Sequence, residues 1–134
     1  MSGWLLDTNV ASHLIRGDRP EIDRRLTSLP MGDIAISAVT EGELLYGLAL
    51  RGHPVRLSGL VRQFLLRVDV LDWDRDAAAA YGDLRAGCER AGVSLAPLDM
   101  MIAAHAVAAD AVLVTRDKAF AQVPAPLRTE AWAP

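Results

Sequence analysis

Short apolar runs alternate with longer amphipathic segments along this chain, and the alternation predicts strands followed by helices. Runs too short to form a helix indicate buried strands at 4–6, 33–37, 68–73 and 111–114. Apolar residues recur at helical spacing in 10–16, 20–29, 39–50, 54–67, 74–91 and 98–109. This order predicts one α/β domain over residues 1–134, a three-layer sandwich with helices on both faces of a twisted, mostly parallel sheet. We expect four or five strands, the fifth being an edge strand at 128–132.

Composition narrows the class of protein. The chain has 134 residues, of which 51% are hydrophobic, so it can bury one core and is not disordered. No apolar stretch is long enough for a bilayer, and no basic region leads into an apolar block, so we expect a cytoplasmic protein. A single cysteine, Cys88, and the lack of a Cys/His cluster exclude an internal disulfide and a zinc module.

Two carboxylates follow predicted strands. Asp7 comes directly after the first strand, and Asp117 comes shortly after the fourth. Ligands usually bind at the carboxyl ends of parallel strands, and the two side chains approach each other if these strands are neighbours. Each residue also has a simpler explanation. Asp7 could cap the helix that follows it, and Asp117 could cap the turn that begins at Lys118.

Two further carboxylates lie on predicted helices. Asp99 lies in the first turn of its helix, in line with that helix's apolar face. Glu43 shares its helix face with apolar or small residues, which predicts that it points to the buried side: Val39, Tyr46, Gly47 and Leu50. Simpler explanations stay open here too, because Asp99 could complement the positive end of its helix and Glu43 could pair with an arginine.

A divalent cation would explain why four carboxylates are placed where they converge. Converging carboxylates repel one another, and a bound cation removes that conflict. Oxygen ligands without a nearby histidine or cysteine favour Mg²⁺ or Mn²⁺, and such a site suits metal-activated water attacking a phosphodiester. The net charge of −3 does not by itself indicate nucleic-acid binding, but neutralising four carboxylates would leave +1.

The ordered motifs closely resemble those of the PIN-domain ribonucleases, and among them the VapC-type toxins of toxin–antitoxin pairs. The matching segments are Leu-Leu-Asp-Thr-Asn at 5–9, Thr40-x-x-Glu43-Leu44-x-x-Gly47, Leu98-Asp99-x-x-Ile102-Ala103-Ala104 and Leu113-Val114-Thr115-x-Asp117. This resemblance implies a PIN-like sandwich, a Mg²⁺ site that could also take Mn²⁺, and an endoribonuclease that cuts tRNA or another structured RNA to leave a 5′-phosphate and a 3′-hydroxyl.

The same resemblance implies roles for individual residues. The family's acidic quartet, catalytic and metal-binding, is matched by Asp7, Glu43, Asp99 and Asp117. Thr115 and Asn9 match its supporting polar positions. Arg116 stands where many relatives have a small polar residue, and two roles stay open for it: contact with phosphate, or shielding of the site. The rival function is a catalytically silent PIN-like module that binds RNA or protein.

Partners are implied as well. We expect a homodimer, which the apolar helices before and after the Ala-rich segment 74–91 also suggest. We also expect a small VapB-type antitoxin, which forms a hetero-oligomer with the toxin. Two helices carry more leucine than one side of a small sheet needs: Leu44, Leu45 and Leu48 in one, and Leu57, Leu60, Val61, Phe64 and Leu65 in the next. We expect a helical hairpin whose outer groove, beside the acidic site near Glu43, accepts an amphipathic helix. The alternative is that these side chains are all core or dimer interface.

Overall fold

Strands and helices follow one another in the order predicted from the apolar pattern. A computed structural model describes residues 3–132, so the outermost residues of the predicted 1–134 domain lie outside the described part. The strands are β1 (Trp4–Leu6), β2 (Ile34–Ser37), β3 (Asp69–Leu71), β4 (Val112–Val114) and β5 (Thr129–Glu130). The helices are α1 (Thr8–Arg16), α2 (Pro20–Thr27), α3 (Ala38–Leu50), α4 (Val55–Arg67), α5 (Arg75–Ala91) and α6 (Pro97–Ala108). Short 3-10 turns occur at Met31–Asp33 and Lys118–Gln122.

The five strands form one parallel sheet in the order β3-β2-β1-β4-β5. In this register Leu6 at the end of β1 lies beside Ile36 on one side and Val114 on the other. The chain builds outward from β1 through β2 to β3 and then returns to place β4 and β5 on the opposite side. The strand order therefore reverses between β1 and β4, and ligands of open α/β sheets bind at the carboxyl end of such a point.

Helices cover both faces of the sheet, as predicted. Side chains alternate along each strand, so Leu6 and Val114 join an apolar cluster with α1, α2, α3 and α4. Leu5 and Leu113 point the other way and join a cluster with α5 and α6. Among residues 3–132, no helix is long and apolar enough to cross a membrane.

Local signals explain where several helices begin and end. The side chains of Asp7, Ser37 and Asp74 accept hydrogen bonds from backbone N–H groups in the first turns of α1, α3 and α5. Two helices end at glycines in the left-handed region, α1 at Gly17 (φ 67°) and α5 at Gly92 (φ 71°), where other residues are disfavoured.

A buried hydrogen bond joins α6 to the start of α3. Ser37 Oγ accepts from Val39 N and also lies 2.7 Å from His105 Nδ1. Burial lowers the pKa of His105, which favours its neutral imidazole. Because Glu43 lies on α3 and Asp99 lies on α6, this bond links the two helices that carry these carboxylates.

Candidate active site

Asp7 lies at the carboxyl end of β1, where the strand order reverses. Its side chain is 4% exposed, and its Oδ1 accepts a hydrogen bond from Val10 N at 2.8 Å. The backbone N–H of Asp7 donates to Val114 O at 3.0 Å, which ties the residue to β4. The predicted capping role is therefore correct. It involves one carboxylate oxygen and holds the side chain at the edge of the sheet.

Asp117 and Thr115 extend the neighbouring strand β4. Thr115 is 5% exposed, and its Oγ1 accepts from Asp117 N at 3.0 Å. Asp117 Oδ1 in turn accepts from Ala119 N at 2.9 Å, so Asp117 caps the 3-10 turn Lys118–Gln122, which the sequence also allowed. Unlike Asp7, Asp117 is exposed. Thr115 thus supports the backbone that presents the Asp117 carboxylate.

Glu43 is held by a threonine and not by an arginine. Thr8 Oγ1 donates to Glu43 Oε1 at 2.6 Å, and the hydroxyl of Thr40 lies 3.1 Å from Thr8 Oγ1. Since Thr8 has one hydroxyl proton and gives it to Glu43, Thr40 is left to donate to Thr8. Among the ion pairs formed within residues 3–132, none includes Glu43.

The predicted reason for singling out Glu43 was wrong in part. Tyr46 and Leu50, which were expected to share its buried face, are 66% and 68% exposed. Leu44 and Leu48 are the leucines of α3 that enter the core, and Glu43 lies half-buried at the border of that face. Glu43 therefore faces a cavity and not the interior.

The four carboxylates reach one cavity from four separate parts of the chain. This acidic cavity has a volume of about 610 Å³ and is lined by Asp7, Thr8, Asn9, Ser12, Glu43, Asp99, Arg116, Asp117 and Phe120. Asp99 enters it from the first turn of α6. Asn9, expected as a supporting residue, also lines it and makes no side-chain hydrogen bond to another described residue. Thr8 and Ser12 are lining residues that the sequence reasoning missed.

Burial and mutual repulsion act together on these carboxylates. Burial is the largest cause that raises the pKa of Asp7, and the charges of Asp117 and Glu43 raise it further. Hydrogen bonds from Thr115 and from the backbone of Val10 oppose that shift. Burial also raises the pKa of Asp99, with added repulsion from Glu43, Asp117 and Asp7. The acidic neighbours thus lie close enough for their charges to act on Asp7 and Asp99.

The donor set fits a hard divalent cation, with water completing its coordination. The carboxylates of Asp7, Glu43, Asp99 and Asp117 supply oxygen ligands, and no histidine or cysteine lines the cavity. Within the described residues, no group of three acidic, histidine or cysteine side chains is close enough to coordinate one metal ion. Mg²⁺ commonly keeps several waters and takes one or two carboxylates together with substrate phosphate, which suits this spacing.

A groove with both apolar and charged lining residues adjoins the acidic cavity between α1, α3 and α4. The groove, about 240 Å³, is lined by Thr8, Ser12, Ile15, Arg16, Glu43, Leu44, Gly47, Leu48, Arg51, Leu57 and Val61. Glu43 and Thr8 line both spaces, which agrees with the expected position of the groove. The apolar residues of α3 and α4 that were expected to line the groove are, however, partly core residues and partly exposed. Leu44, Leu48, Val61 and Phe64 are core residues, whereas Leu45 is 47% exposed.

Known proteins resemble this chain over nearly all of its length. Residues 4–126 match the family model described as PIN domain. A protein of Shigella flexneri named tRNA(fMet)-specific endonuclease VapC is 36% identical over 99% of this chain and 100% of its own length. The crystal structure of VapBC2 from Rickettsia felis bound to a promoter DNA fragment matches with a TM-score of 0.90 and 30% identity, over 99% of this chain and 100% of that one. DNA-bound VapBC from Salmonella typhimurium matches with the same TM-score and coverage and 35% identity.

Removing one carboxylate should stabilise the metal-free fold at neutral pH. We expect Asp7→Asn and Asp99→Asn to raise the Tm in EDTA at pH 7, because each raised pKa means that the folded state pays for ionising that group. The cost is fully present above the folded-state pKa. It fades as pH falls from that pKa and is lost below the ordinary value of 3.8, where the carboxyl is protonated in both states. Asparagine retains the capping bond of Asp7.

The measurement is thermal unfolding from pH 7 down to pH 4, with Asp83→Asn on the exposed side of α5 as the matched control. The advantage of the two site variants should shrink steadily toward the acid end, and the control should show little change. Equal or lower Tm values for both site variants at pH 7 in EDTA would contradict the electrostatic account.

Proposed function

Because this chain belongs to the PIN-domain family, we propose that it is a metal-dependent endoribonuclease, the toxin of a toxin–antitoxin pair. The observation that carries the proposal is the acidic cavity, where four carboxylates from separate elements meet at the reversal point of a parallel sheet. Similarity over 99% of the chain to a tRNA(fMet)-specific endonuclease supports the substrate class. We propose a single PIN domain over 1–134, acting on RNA in the cytoplasm.

Each carboxylate has a role in the proposed reaction. Asp7, Asp99 and Asp117 would hold Mg²⁺ (or Mn²⁺), directly or through water. A divalent cation supplies Lewis-acid polarisation of the phosphodiester and lowers the pKa of water. Thr115 keeps the backbone of Asp117 in place. Asn9, on the exposed side of the cavity, is assigned a supporting contact to substrate or water.

Glu43 is assigned the task of orienting and deprotonating the attacking water. Its Oε1 is occupied by the Thr8 hydroxyl at 2.6 Å, which fixes the carboxylate plane and leaves Oε2 for water. In-line attack at phosphorus expels the 3′-oxygen of the preceding nucleotide, so the products carry a 5′-phosphate and a 3′-hydroxyl. Thr8 is a positioning residue in this scheme because it acts only through Glu43.

The cleavage assay tests these assignments. In Mg²⁺, Asp7→Asn and Asp99→Asn should lower cleavage of labelled initiator tRNA by at least roughly 100-fold, and Thr8→Val should lower it by roughly 10- to 100-fold. EDTA should abolish cleavage by the parent protein, and Asp83→Asn should cleave normally. Undiminished cleavage in EDTA or by Asp99→Asn would refute the metal-dependent mechanism. RNA binding with no cleavage under any condition would favour the silent binding module.

A homodimer is part of the proposal, although its expected basis changes. The apolar helices flanking α5 were the predicted interface, yet α6 is mostly buried within its own chain. Helix α3 packs against α6. The large exposed apolar side chains are Leu45, Tyr46 and Leu50 on α3 and Leu98 on α6. We propose that this surface forms a symmetric interface. Light scattering at micromolar concentration should give twice the monomer mass, and Tyr46→Asp should give the monomer. A parent protein that is monomeric would contradict the dimer.

The antitoxin is proposed to occupy the groove between α1, α3 and α4, whose lining is partly apolar and partly charged. The solved relatives VapBC2 and VapBC are toxin–antitoxin complexes, which supports a small VapB-type partner here. A partner with an amphipathic helix fits the groove, and a basic side chain from it could reach Glu43, which lines groove and cavity alike. Such a partner would combine a DNA-binding half with a segment that folds on binding.

Two substitutions on the same helix test the docking site. Leu57 lines the groove, whereas Leu66 is 82% exposed on α4 and lies outside the groove lining. After co-expression with the neighbouring small open reading frame, Leu57→Asp should weaken co-purification and inhibition by at least tenfold, because a charge would enter an apolar contact. Leu66→Asp should bind normally. Equal binding by both variants would place the antitoxin elsewhere.

A further inference from the structure

Arg116 is a cation in an acidic cavity that does not pair with the acids. It lines the same space as Asp7, Glu43, Asp99 and Asp117. Within residues 3–132, none of its nitrogens lies within 4.0 Å of a carboxylate oxygen. Attraction to four nearby negative charges would draw a free guanidinium onto them. Something therefore holds the Arg116 side chain away from them.

The restraint is a histidine, which is itself fixed by an aspartate. Arg116 Nη1 lies 3.2 Å from His13 Nε2, and His13 Nδ1 lies 2.8 Å from Asp18 Oδ1. A guanidinium only donates, so the first contact is a hydrogen bond when Nε2 carries no proton; Nδ1 then holds the proton and donates it to Asp18. The His13 side chain is 12% exposed, and its hydrogen bond lowers the pKa of Asp18, which keeps that acceptor ionised.

Two of the three guanidinium nitrogens of Arg116 have no hydrogen-bond partner within residues 3–132. Arg116 Nε is buried and has no hydrogen-bond partner. One terminal nitrogen is engaged by His13, and the other, Nη2, has no recorded partner in the described part of the chain. Buried donors are rarely left unmatched in a finished site. A side chain with spare donors at the wall of this cavity is suited to an anion that arrives with the substrate.

We propose that Arg116 binds a backbone phosphate of the RNA, and that His13 and Asp18 are positioning residues which hold its guanidinium apart from the four carboxylates. The proposal rests on the proposed function, since the cavity must admit RNA. Guanidinium and phosphate match in shape and charge and form strong, paired hydrogen bonds. Without His13, the guanidinium would fold onto the carboxylates, where it would compete with the cation and be lost to the phosphate.

Binding and kinetics together test the role of Arg116. The probe is the labelled initiator tRNA, titrated by fluorescence anisotropy in EDTA at several salt concentrations and cleaved under steady-state conditions in Mg²⁺. Arg116→Gln should raise Kd and KM about tenfold, change kcat by less than about threefold, and reduce the slope of log Kd against log salt by about one. The Kd and KM of Arg116→Lys should lie between those of the parent protein and Arg116→Gln, because lysine keeps the positive charge but loses the paired donors of the guanidinium. Arg67→Gln, exposed at the end of α4 away from the cavity, is the charge-matched control and should behave as the parent protein.

Single and double variants test whether His13 and Asp18 act through Arg116. His13→Ala should raise KM about three- to tenfold and leave kcat nearly unchanged, and His13→Gln, whose side-chain oxygen accepts a hydrogen bond, should recover part of that loss. Asp18→Asn, at an exposed site, should shift KM in the same direction. In the double variant His13→Ala/Arg116→Gln, KM should equal that of Arg116→Gln alone, because the histidine acts through the arginine.

The outcomes separate this inference from the function on which it rests. If the parent protein cleaves the tRNA and Arg116→Gln changes neither KM nor the salt slope, the phosphate contact is refuted and the ribonuclease stands. If the losses in the double variant multiply, His13 does not act through Arg116 and the positioning role is refuted. If the parent protein neither binds nor cleaves RNA, both the contact and the ribonuclease fall.

Discussion

Repulsion among carboxylates that share one cavity is the constraint on which the rest of this structure depends. The sheet order places the ends of β1 and β4 side by side, so Asp7 and Asp117 must meet there. Burial raises the pKa of Asp7, and its acidic neighbours add to the cost of ionising it. The apolar clusters on the two faces of the sheet provide the stability against which this cost is set. Folding thus prepares a site whose unfavourable charge at neutral pH would be relieved by a cation.

The sequence predicted the architecture better than the reasons for each site residue. The apolar pattern is local, so the strands and helices could be read from it, and the matched motifs selected the carboxylates. The order of strands in the sheet is set by tertiary structure. The sequence therefore could not show that β1 and β4 are neighbours, on which the proximity of Asp7 and Asp117 depends. Glu43 was assigned to a buried face because apolar spacing does not say which side of α3 is covered. Thr8 was missed because its partner Glu43 is 35 positions away, and only the packing of α1 beside α3 brings them together.

Overall charge is a poor guide to what this surface can bind. The chain carries −3 in total, and four of its 17 acidic residues line one cavity together with Arg116. Under the proposed function, a phosphate would meet the local arrangement of charges that remains when a cation occupies the acidic cavity. The restraint on Arg116 by His13 matters for this reason, since it keeps one positive group separate from the carboxylates. A protein with a net negative charge can therefore still present one positively charged side chain, Arg116, at the wall of its acidic cavity.

Helix capping and the proposed catalysis would use the same carboxylates. Asp7 accepts from Val10 N and Asp117 accepts from Ala119 N, and each of these bonds uses an Oδ1 atom. A backbone N–H is a rigid donor, so each bond fixes a side chain that repulsion would otherwise turn away from its neighbours. Glu43 lies within its helix, where the backbone donors are already used, and a threonine hydroxyl takes the place of the cap. The simpler explanation of each residue is thus the means by which the fold keeps its carboxylate in the cavity before any cation arrives.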